Sequence, residues 1–237
     1  MLIKTIASGS SGNCYHIDDG STALLLECGV KYKDVQKALN YNTTDIQGVL
    51  VTHEHNDHIK YAKEFLERGQ ELYMTKGTKE AKGLDHFRIN TIKYKEVFKI
   101  GTFKIVAFES MHDVEEPCSF LIESKHGHKI LFATDTYYIK YRFNGITHML
   151  LEVNHDYELM MHNVERGYIN NALARRIMKS HLNLDNAIKF LKACDLSKLQ
   201  EIHLIHLSSD NSKAQEFKRK IQEVTGVKVI IAGGKDK

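Results

Sequence analysis

The sequence predicts an α/β fold, and three observations support that prediction. Short apolar segments typical of strands alternate along the chain with segments whose apolar residues have helical spacing. The chain has 237 residues, of which 42% are apolar, which is enough to bury one sizeable core. Several predicted strands end in histidine or aspartate, and loops at strand ends commonly carry binding and catalytic groups. We therefore expect a single domain over residues 1–237 with its site at the strand ends.

Glycine and serine mark the connection between the first two predicted strands. These strands, at residues 2–7 and 14–17, flank the loop Ser-Gly-Ser-Ser-Gly-Asn at residues 8–13. Free backbone N–H groups in such a loop could line an anion site, although a flexible hairpin connection explains the same composition. Asp19-Gly20 forms a tight turn into a strand at residues 23–27, and a helix at 30–39 leads to a strand at 48–51.

The stretch Thr-His-Glu-His-Asn-Asp-His at residues 52–58 follows that strand and precedes a segment of helical spacing at residues 59–66. Side chains alternate along an extended chain, so His53 and His55 point the same way and can bind one metal ion. Asp57 and His58 leave in a different direction as the chain bends into the helix, so they can bind a second ion. Imidazole and carboxylate ligands at roughly 2.0–2.2 Å suit zinc-like cations. The alternative is a histidine-rich polar loop without a metal.

This H-x-H-x-D-H pattern resembles the signature of the metallo-β-lactamase superfamily, whose fold is a four-layer αββα sandwich. The resemblance implies further ligands downstream, at His112, Asp135 and His206. The first ion is then held by His53, His55 and His112, the second by Asp57, His58 and His206, with Asp135 shared between them. We expect two divalent ions, Zn²⁺ first, with Mn²⁺ or Fe²⁺ as alternatives. Water shared by two such ions becomes a hydroxide nucleophile because its pKa falls from 15.7 toward about 7.

The remaining elements are predicted from the same alternation of apolar strands and helical spacing. Strands are expected at residues 72–74, 96–99, 103–108, 119–123, 129–133, 201–205 and 227–231, with another strand and its rim at 149–156. Helices are expected at 157–179, 184–193 and 212–224, and residues 76–84 form a basic helix or loop. Asn183 is a good N-cap for the helix that follows it. His126 and His128 belong to a solvated hairpin turn rather than to a metal site.

Composition and cysteine spacing exclude several classes of protein. Cys14, Cys28, Cys118 and Cys194 lie far apart, so we expect buried thiols rather than a disulfide scaffold or a cysteine-built zinc site. No apolar run approaches the roughly 18 to 20 residues of a membrane span, and the N-terminal segment is too soon interrupted for a signal peptide. We expect a soluble cytoplasmic protein without a membrane partner. The net charge of +3 is compatible with a polyanionic substrate, and the sequence permits a homodimer.

A second resemblance covers most of the chain, from residue 2 to about residue 211. The loop at 8–13, the segment at 152–156, Ser-His-Leu-Asn at 180–183 and the segment at 206–211 look like the YycJ/WalJ subgroup of the superfamily. The pairing of Glu152 with His181 is also similar to RNase Z, a tRNA-processing endonuclease. By this resemblance Asp57, Glu152 and His181 are the catalytic residues. His181 acts as the general acid or as a hydrogen-bond donor to the scissile phosphate, and Glu152 holds its ring in place.

Substrate-binding residues are expected beside these groups. By the RNase Z resemblance, the serine after the last metal histidine, Ser208, contacts a phosphate oxygen. The other substrate-binding candidates are Ser10, Ser11, Asn13 and Asn211. Capping of the helix at 212–224 explains Ser208 and Asn211 equally well.

The subgroup resemblance implies a two-metal phosphodiesterase that acts on nucleic acid, as a 5′ to 3′ DNA exonuclease. Three alternatives stay open. The same site could hydrolyse a cyclic nucleotide, because few aromatic residues lie in the predicted rim loops to stack a long strand. Superfamily members also cleave thioesters and lactams, so a thioester or other acyl hydrolase is the second alternative. The third is a metal-bearing scaffold that only binds nucleic acid or a protein, which would not need an open two-metal centre.

Overall fold

The computed structural model describes residues 1–234 and separates into two units. Unit 1 comprises Met1–Glu109 and Val114–His128, and unit 2 comprises Ser110–Asp113 and the chain from residue 129 onward. The single domain expected over residues 1–237 stays a prediction, and residues 235–237 lie outside the described chain.

Unit 1 contains a sheet in which antiparallel pairing changes to parallel pairing at the third strand. Strands β1 (Leu2–Ala7), β2 (Cys14–Asp18) and β3 (Ala23–Leu26) are antiparallel neighbours; β4 (Ile46–Leu50), β5 (Leu72–Thr75) and β6 (Ile89–Ile92) continue the sheet in parallel. Strands β7 (Val97–Ile100), β8 (Phe103–Glu109) and β9 (Cys118–Ser124) pair antiparallel with one another in that order. Because Leu26 of β3 pairs with Leu50 of β4, the carboxyl ends of both strands meet at one edge of the sheet.

Helices of unit 1 pack on this sheet through one apolar cluster. The helices with residues in this cluster are α1 (Tyr32–Ala38), α2 (Asn56–Ile59) and α3 (Ala62–Glu67), whereas α4 (Lys76–Ala81) contributes none. Val35 and Phe65 are fully buried in the cluster with Val49 of β4. The rings of Tyr32 and Phe65 meet edge to face, with centroids 5.1 Å apart. Burying side chains of this size contributes roughly 1.5–3 kcal/mol each. The packing therefore fixes both ends of the segment between β4 and α3, which carries the predicted metal motif.

Unit 2 contains four parallel strands, β10 (Lys129–Ala133), β11 (His148–Glu152), β12 (Glu201–Ile205) and β13 (Lys228–Ile231), paired in sequence order. Its helices are α5 (Tyr157–Glu165), α6 (Asn171–Ser180), α7 (Leu184–Lys192) and α8 (Ala214–Thr225). The register pairs Ala133 with Leu151 and Glu152 with Ile205. The carboxyl ends of β10, β11 and β12 therefore lie side by side, which is where open α/β sheets carry their ligand sites.

Most predicted strands and helices are confirmed with small shifts at their ends, but two predictions are wrong and one strand was not predicted. The helix predicted at 157–179 is two helices, because Gly167 adopts a left-handed φ of 73° and Asn170 caps α6 through Leu173 N–H. The helical segment at 59–66 is likewise divided between α2 and α3. The sequence also fails to predict β6, in which polar Asn90 and Thr91 interrupt the apolar pattern.

The cysteines and the helices agree with two further expectations. Cys14, Cys28 and Cys118 are buried free thiols, and Cys194 is a partly buried one. Within residues 1–234, every helix is too short or too polar to cross a lipid bilayer.

Candidate metal centre

The predicted metal motif lies in unit 1 between β4 and α2. The chain leaves β4 at Leu50 and stays extended to His55, the N-cap of α2, so His58 falls inside the short helix. The ring centroid of His53 lies 4.8 Å from that of His55 and 4.2 Å from that of His58. Asp57 Oδ2 lies 3.2 Å from His58 Nε2. The strand-to-helix switch thus gathers three imidazoles and a carboxylate, and their role as metal ligands stays a prediction.

Glu27 supports this motif through contacts with Thr52 and His58. It follows β3, is fully buried, and its Oε1 accepts a hydrogen bond of 2.6 Å from Thr52 Oγ1 and lies 3.4 Å from His58 Nδ1. Its Oε2 accepts a second bond from the Thr52 N–H at 3.3 Å. Burial raises the pKa of Glu27 against the opposing effect of His58 and Thr52. Glu27 therefore contacts the predicted metal ligand His58 directly. Thr52 is a supporting residue that the sequence analysis missed, although it immediately precedes His53.

Asn13 is the second support for the motif. Its backbone N–H donates to the Asp57 carbonyl at 2.7 Å, and its side-chain Nδ2 lies 3.2 Å from Asp57 Oδ2 and 3.3 Å from His58 Nε2. Asn13 is fully buried, whereas Ser10 and Ser11 are exposed in the same loop. The end of the glycine-rich loop at Asn13 is therefore packed against the metal motif. Substrate contact by Ser10, Ser11 and Asn13 stays a prediction, while the observed partners of Asn13 are Asp57 and His58.

Unit 2 brings a second set of candidate residues together at its strand ends. Asp135 follows β10, Glu152 ends β11 and His206 follows β12. His181 is the C-cap of α6 and reaches the same place. One ligand atom from each of these four side chains lies within 4.8 Å of the others. Donor atoms must converge in this way to hold a divalent cation at about 2.0–2.2 Å, and Asp135 and His206 are the two predicted metal ligands of the set.

Glu152 organises this set. Its Oε1 accepts hydrogen bonds from His181 Nδ1 at 2.7 Å and His206 Nδ1 at 3.0 Å, while Oε2 accepts from the backbone N–H groups of Thr136 and Leu182. Burial alone would raise the pKa of Glu152, but His181 and the donated hydrogen bonds hold it below its usual value. Because Nδ1 of both rings donates to the carboxylate, Nε2 is the atom that each ring presents for metal or proton chemistry.

Electrostatics favour a protonated His181. Burial alone would lower the pKa of this imidazole, but the charges of Glu152 and Asp135, with the Glu152 hydrogen bond, raise it above its usual value. The geometry thus gives the arrangement in which Glu152 holds the His181 ring. It also brings both residues into one group with Asp135 and His206.

His112 and Asp135 are oriented by their own hydrogen bonds. His112 Nδ1 donates to the Ser180 carbonyl at 3.0 Å, and its Nε2 lies 3.8 Å from Asp135 Oδ2. Asp135 Oδ1 accepts from Thr134 Oγ1 at 2.7 Å. The left-handed φ values of Asp135 (47°) and His206 (53°) turn the chain sharply after β10 and β12. Unit 2 therefore contains three of the seven predicted metal ligands, and unit 1 contains the other four.

The predicted substrate residues after β12 lie differently from expectation. Asn211 is buried, its Oδ1 accepts from Asn163 Nδ2 at 2.9 Å, and its Nδ2 and backbone N–H both point to Ser208 Oγ. Capping does not explain these residues, because α8 starts at Ala214 and its N-cap is Lys213, which makes no side-chain capping hydrogen bond. The capping interpretation is therefore wrong, and Ser208 and Asn211 brace the loop after His206. Contact of these two residues with substrate stays a prediction.

The family follows from a match over most of the chain. A family model described as a β-lactamase superfamily domain matches residues 23–206. The chain belongs to the metallo-β-lactamase superfamily. The exodeoxyribonuclease YycJ of Bacillus anthracis is 28% identical over 240 residues, covering 94% of this chain and 89% of that relative.

Solved structures with the metallo-β-lactamase fold agree. The metallo-β-lactamase fold protein YhfI from Bacillus subtilis has a TM-score of 0.74 and 17% identity, covering 97% of this chain and 95% of the other. The short form of human tRNase Z has a TM-score of 0.60 and 16% identity, covering 98% of this chain and 96% of that one. The predicted fold class and the resemblance to the YycJ/WalJ subgroup are confirmed, as is the coarse class of a metallo-β-lactamase superfamily hydrolase.

Proposed function

We propose that the protein is a metal-dependent phosphodiesterase that cleaves nucleic acid, with a DNA exonuclease activity of 5′ to 3′ polarity. The observation that carries this proposal is the 2.7 Å hydrogen bond between His181 Nδ1 and the fully buried Glu152. A carboxylate that orients an imidazole and keeps it protonated makes a general acid. Cleavage of a phosphodiester releases an alkoxide, which is a poor leaving group unless it is protonated. A general acid at this position can supply that proton.

Two divalent ions complete the proposal. We infer the ligand set His53, His55 and His112 for one ion and Asp57, His58 and His206 for the other, with Asp135 shared. When bound, such ions supply Lewis acidity and lower the pKa of water toward about 7. Zinc is the metal that these nitrogen and oxygen donors favour, with Mn²⁺ or Fe²⁺ as alternatives.

The protein's own groups then have separate tasks. Glu27 and Asn13 hold His58 and Asp57, and Glu152 holds His181 and His206 in one orientation. His181 holds a proton at Nε2, which it donates to the leaving oxygen. Ser208 lies two residues after His206, where its hydroxyl can donate to a phosphate oxygen.

The named relatives support nucleic acid as the substrate class. YycJ of Bacillus anthracis and WalJ of Streptococcus pneumoniae are both called exodeoxyribonucleases, and each is 28% identical to this chain. This relationship favours DNA over RNA and over a cyclic nucleotide.

Substrate choice is tested by incubating the protein with labelled single- and double-stranded DNA and RNA, a cyclic mononucleotide and a thioester, each with Mn²⁺ or Zn²⁺. We expect release of nucleotides from DNA, with the 5′ label lost first. Turnover of the cyclic mononucleotide without oligonucleotide cleavage would replace the nuclease proposal with the cyclic nucleotide alternative. Thioester hydrolysis without cleavage of any phosphodiester would sink the phosphodiesterase proposal altogether.

The roles within the site are tested by metal content. His181→Ala should lower kcat and leave the bound metal unchanged, whereas Asp135→Ala should lower metal content and thermal stability together. Elemental analysis of both purified variants measures this difference. Equal metal loss in both would make His181 a ligand, consistent with its 3.8 Å approach to Asp135, and would contradict the general-acid assignment.

A further inference from the structure

The helix α6 carries an exposed cationic surface that the proposed chemistry does not use. Arg175, Arg176 and Lys179 are exposed on α6, and Ala174 and Ser180 face the interior. We call these three cations the α6 basic surface. Within the described chain they take part in no ion pair, and α6 itself contains no Asp or Glu. Their charge is therefore available to a ligand.

Helix α8 shows a different arrangement, because several of its cations have acidic partners on the same helix. On and beside α8, Lys213 and Lys220 pair with Glu216, and Arg219 pairs with Glu223, at distances of 3.8, 2.8 and 2.6 Å. On α6, Arg175 and Lys179 are instead like charges at i and i+4, an arrangement that destabilises a helix by roughly 0.2–0.5 kcal/mol. The helix dipole accounts for Lys179 in the last turn. It does not account for Arg175 and Arg176 in the middle of the helix.

The α6 basic surface ends at Lys179, two residues before the proposed general acid His181. His181 is the C-cap of α6, and the Ser180 carbonyl accepts the hydrogen bond from His112, so the end of the helix is fixed beside both residues. With a rise of about 1.5 Å per residue, Arg175 lies about 9 Å along the axis from His181. Phosphates of one strand are spaced about 3.4 Å apart along a duplex axis, so this length matches two to three phosphates.

An exposed aromatic side chain lies beyond the far end of the same helix. Tyr168 is 75% exposed in the connection between α5 and α6. Exposed aromatic rings beside a cationic track are the platform on which single-stranded bases stack. Backbone charge and a stacking ring together favour a nucleic acid strand over a free anion.

We propose that the α6 basic surface binds the sugar-phosphate backbone of a nucleic acid strand whose scissile phosphate lies at His181. This inference rests on the proposed nuclease function and adds the path of the strand outside the site. Arg and Lys neutralise phosphates without reading the bases, so the surface gives affinity and not sequence preference.

Binding is measured on the full chain, without turnover. We would compare the unaltered protein, R175Q/R176Q/K179Q and the matched control K213Q/R219Q/K220Q, which loses the same charge from α8. Fluorescence anisotropy with a labelled 12-nucleotide oligo-dT, in EDTA and over a series of salt concentrations, gives affinity and its salt dependence. Circular dichroism checks that each variant is folded.

We expect the α6 variant to bind at least 10-fold more weakly. The slope of log K against log salt should fall by about 2, since each lost phosphate contact on a single strand contributes about 0.7. The α8 control should stay within about twofold of the unaltered protein. Equal losses in both variants would reduce the effect to net charge and overturn the proposal, as would an α6 variant with unchanged affinity and slope.

Two further arms separate the proposal from its alternatives. If the α6 variant loses binding to phosphatidylserine vesicles but keeps its affinity for DNA, the surface is a membrane contact and the inference is wrong. Cleavage of labelled DNA by the unaltered protein with Mn²⁺ tests the nuclease function independently. Cleavage without any effect of the α6 substitutions would overturn this inference alone, whereas a protein that neither binds nor cleaves nucleic acid would overturn both.

Discussion

Gly29→Ala should dislodge the metal motif of unit 1, because a methyl group at residue 29 has no space. A Cβ built there would lie 1.8 Å from the Asp57 carbonyl oxygen, 2.5 Å from its carbon and 2.8 Å from Asn13 N. All three are backbone atoms, which cannot rotate away as a side chain can. Ordinary carbon contacts begin near 3.5 Å, so the motif would have to move by more than about 1.5 Å.

The cost of that movement can be worked from the contacts it breaks. Asn13 N–H donates to the Asp57 carbonyl at 2.7 Å, and Gly29 N–H donates to the Asn13 carbonyl at 3.1 Å. Two lost hydrogen bonds at about 1 kcal/mol each, added to about 1–3 kcal/mol for overpacking, give a loss of about 3–5 kcal/mol. A typical domain has a free energy of unfolding of about 5–15 kcal/mol, so this is a large fraction.

Urea unfolding and elemental analysis together measure the effect. The matched control is Gly48→Ala, where the new Cβ meets Tyr73 Cε2 at 2.9 Å, on a side chain that can move. We expect a small loss of stability for Gly48→Ala and a loss of both stability and bound metal for Gly29→Ala. A Gly29→Ala protein within about 1 kcal/mol of the unaltered one, with full metal content, would refute the steric reasoning.

Two further predictions concern pH. Burial lowers the pKa of His155 to about 4 from 6.5, so the unfolded chain binds a proton that the folded chain resists. Stability present above pH 6.5 should therefore fall by up to about 1.4 kcal/mol per pH unit until about pH 4, and His155→Phe should flatten this slope in urea unfolding between pH 7 and 4.5. An unchanged slope in the variant would contradict the assignment to His155. Burial tends to raise the pKa of Asp19, but hydrogen bonds from Ser124, Thr102, Thr22 and Ser21 lower it to about 2. The stability from this carboxylate is present above pH 3.8 and lost as pH falls through about 2, so Asp19→Asn should lower the melting temperature at pH 7 and have little effect near pH 2.

Local signals in the sequence predicted the parts of the fold that depend on neighbouring residues. The apolar run before His53 and the cap at Asn183 are of this kind, and Asn183 Oδ1 does accept the Asn186 N–H at 2.8 Å. The metal motif was predictable for the same reason, since four of its ligand candidates lie within six residues. The family resemblance supplied His112, Asp135 and His206, which no local pattern marks.

Contacts between residues far apart in the sequence could not be predicted from local patterns. Asn211 resembles a helix cap in the sequence, but its side chain is used by Asn163, which lies 48 residues away. Glu152 accepts a hydrogen bond from His206 as well as from His181, and no local sequence pattern indicates a contact between residues 54 positions apart. The break between α5 and α6 depends on Gly167, whose left-handed backbone is one of several conformations that glycine can adopt.

The left-handed backbone at Glu27, Asp135 and His206 has a consequence for how these positions tolerate change. Their φ values of 70°, 47° and 53° suit glycine better than any residue with a Cβ, and glutamate is the least suited of the three. Glycine at any of these positions would relax the chain while deleting a working side chain. An acid or imidazole at these positions therefore costs backbone strain, which the roles proposed for the three side chains would explain.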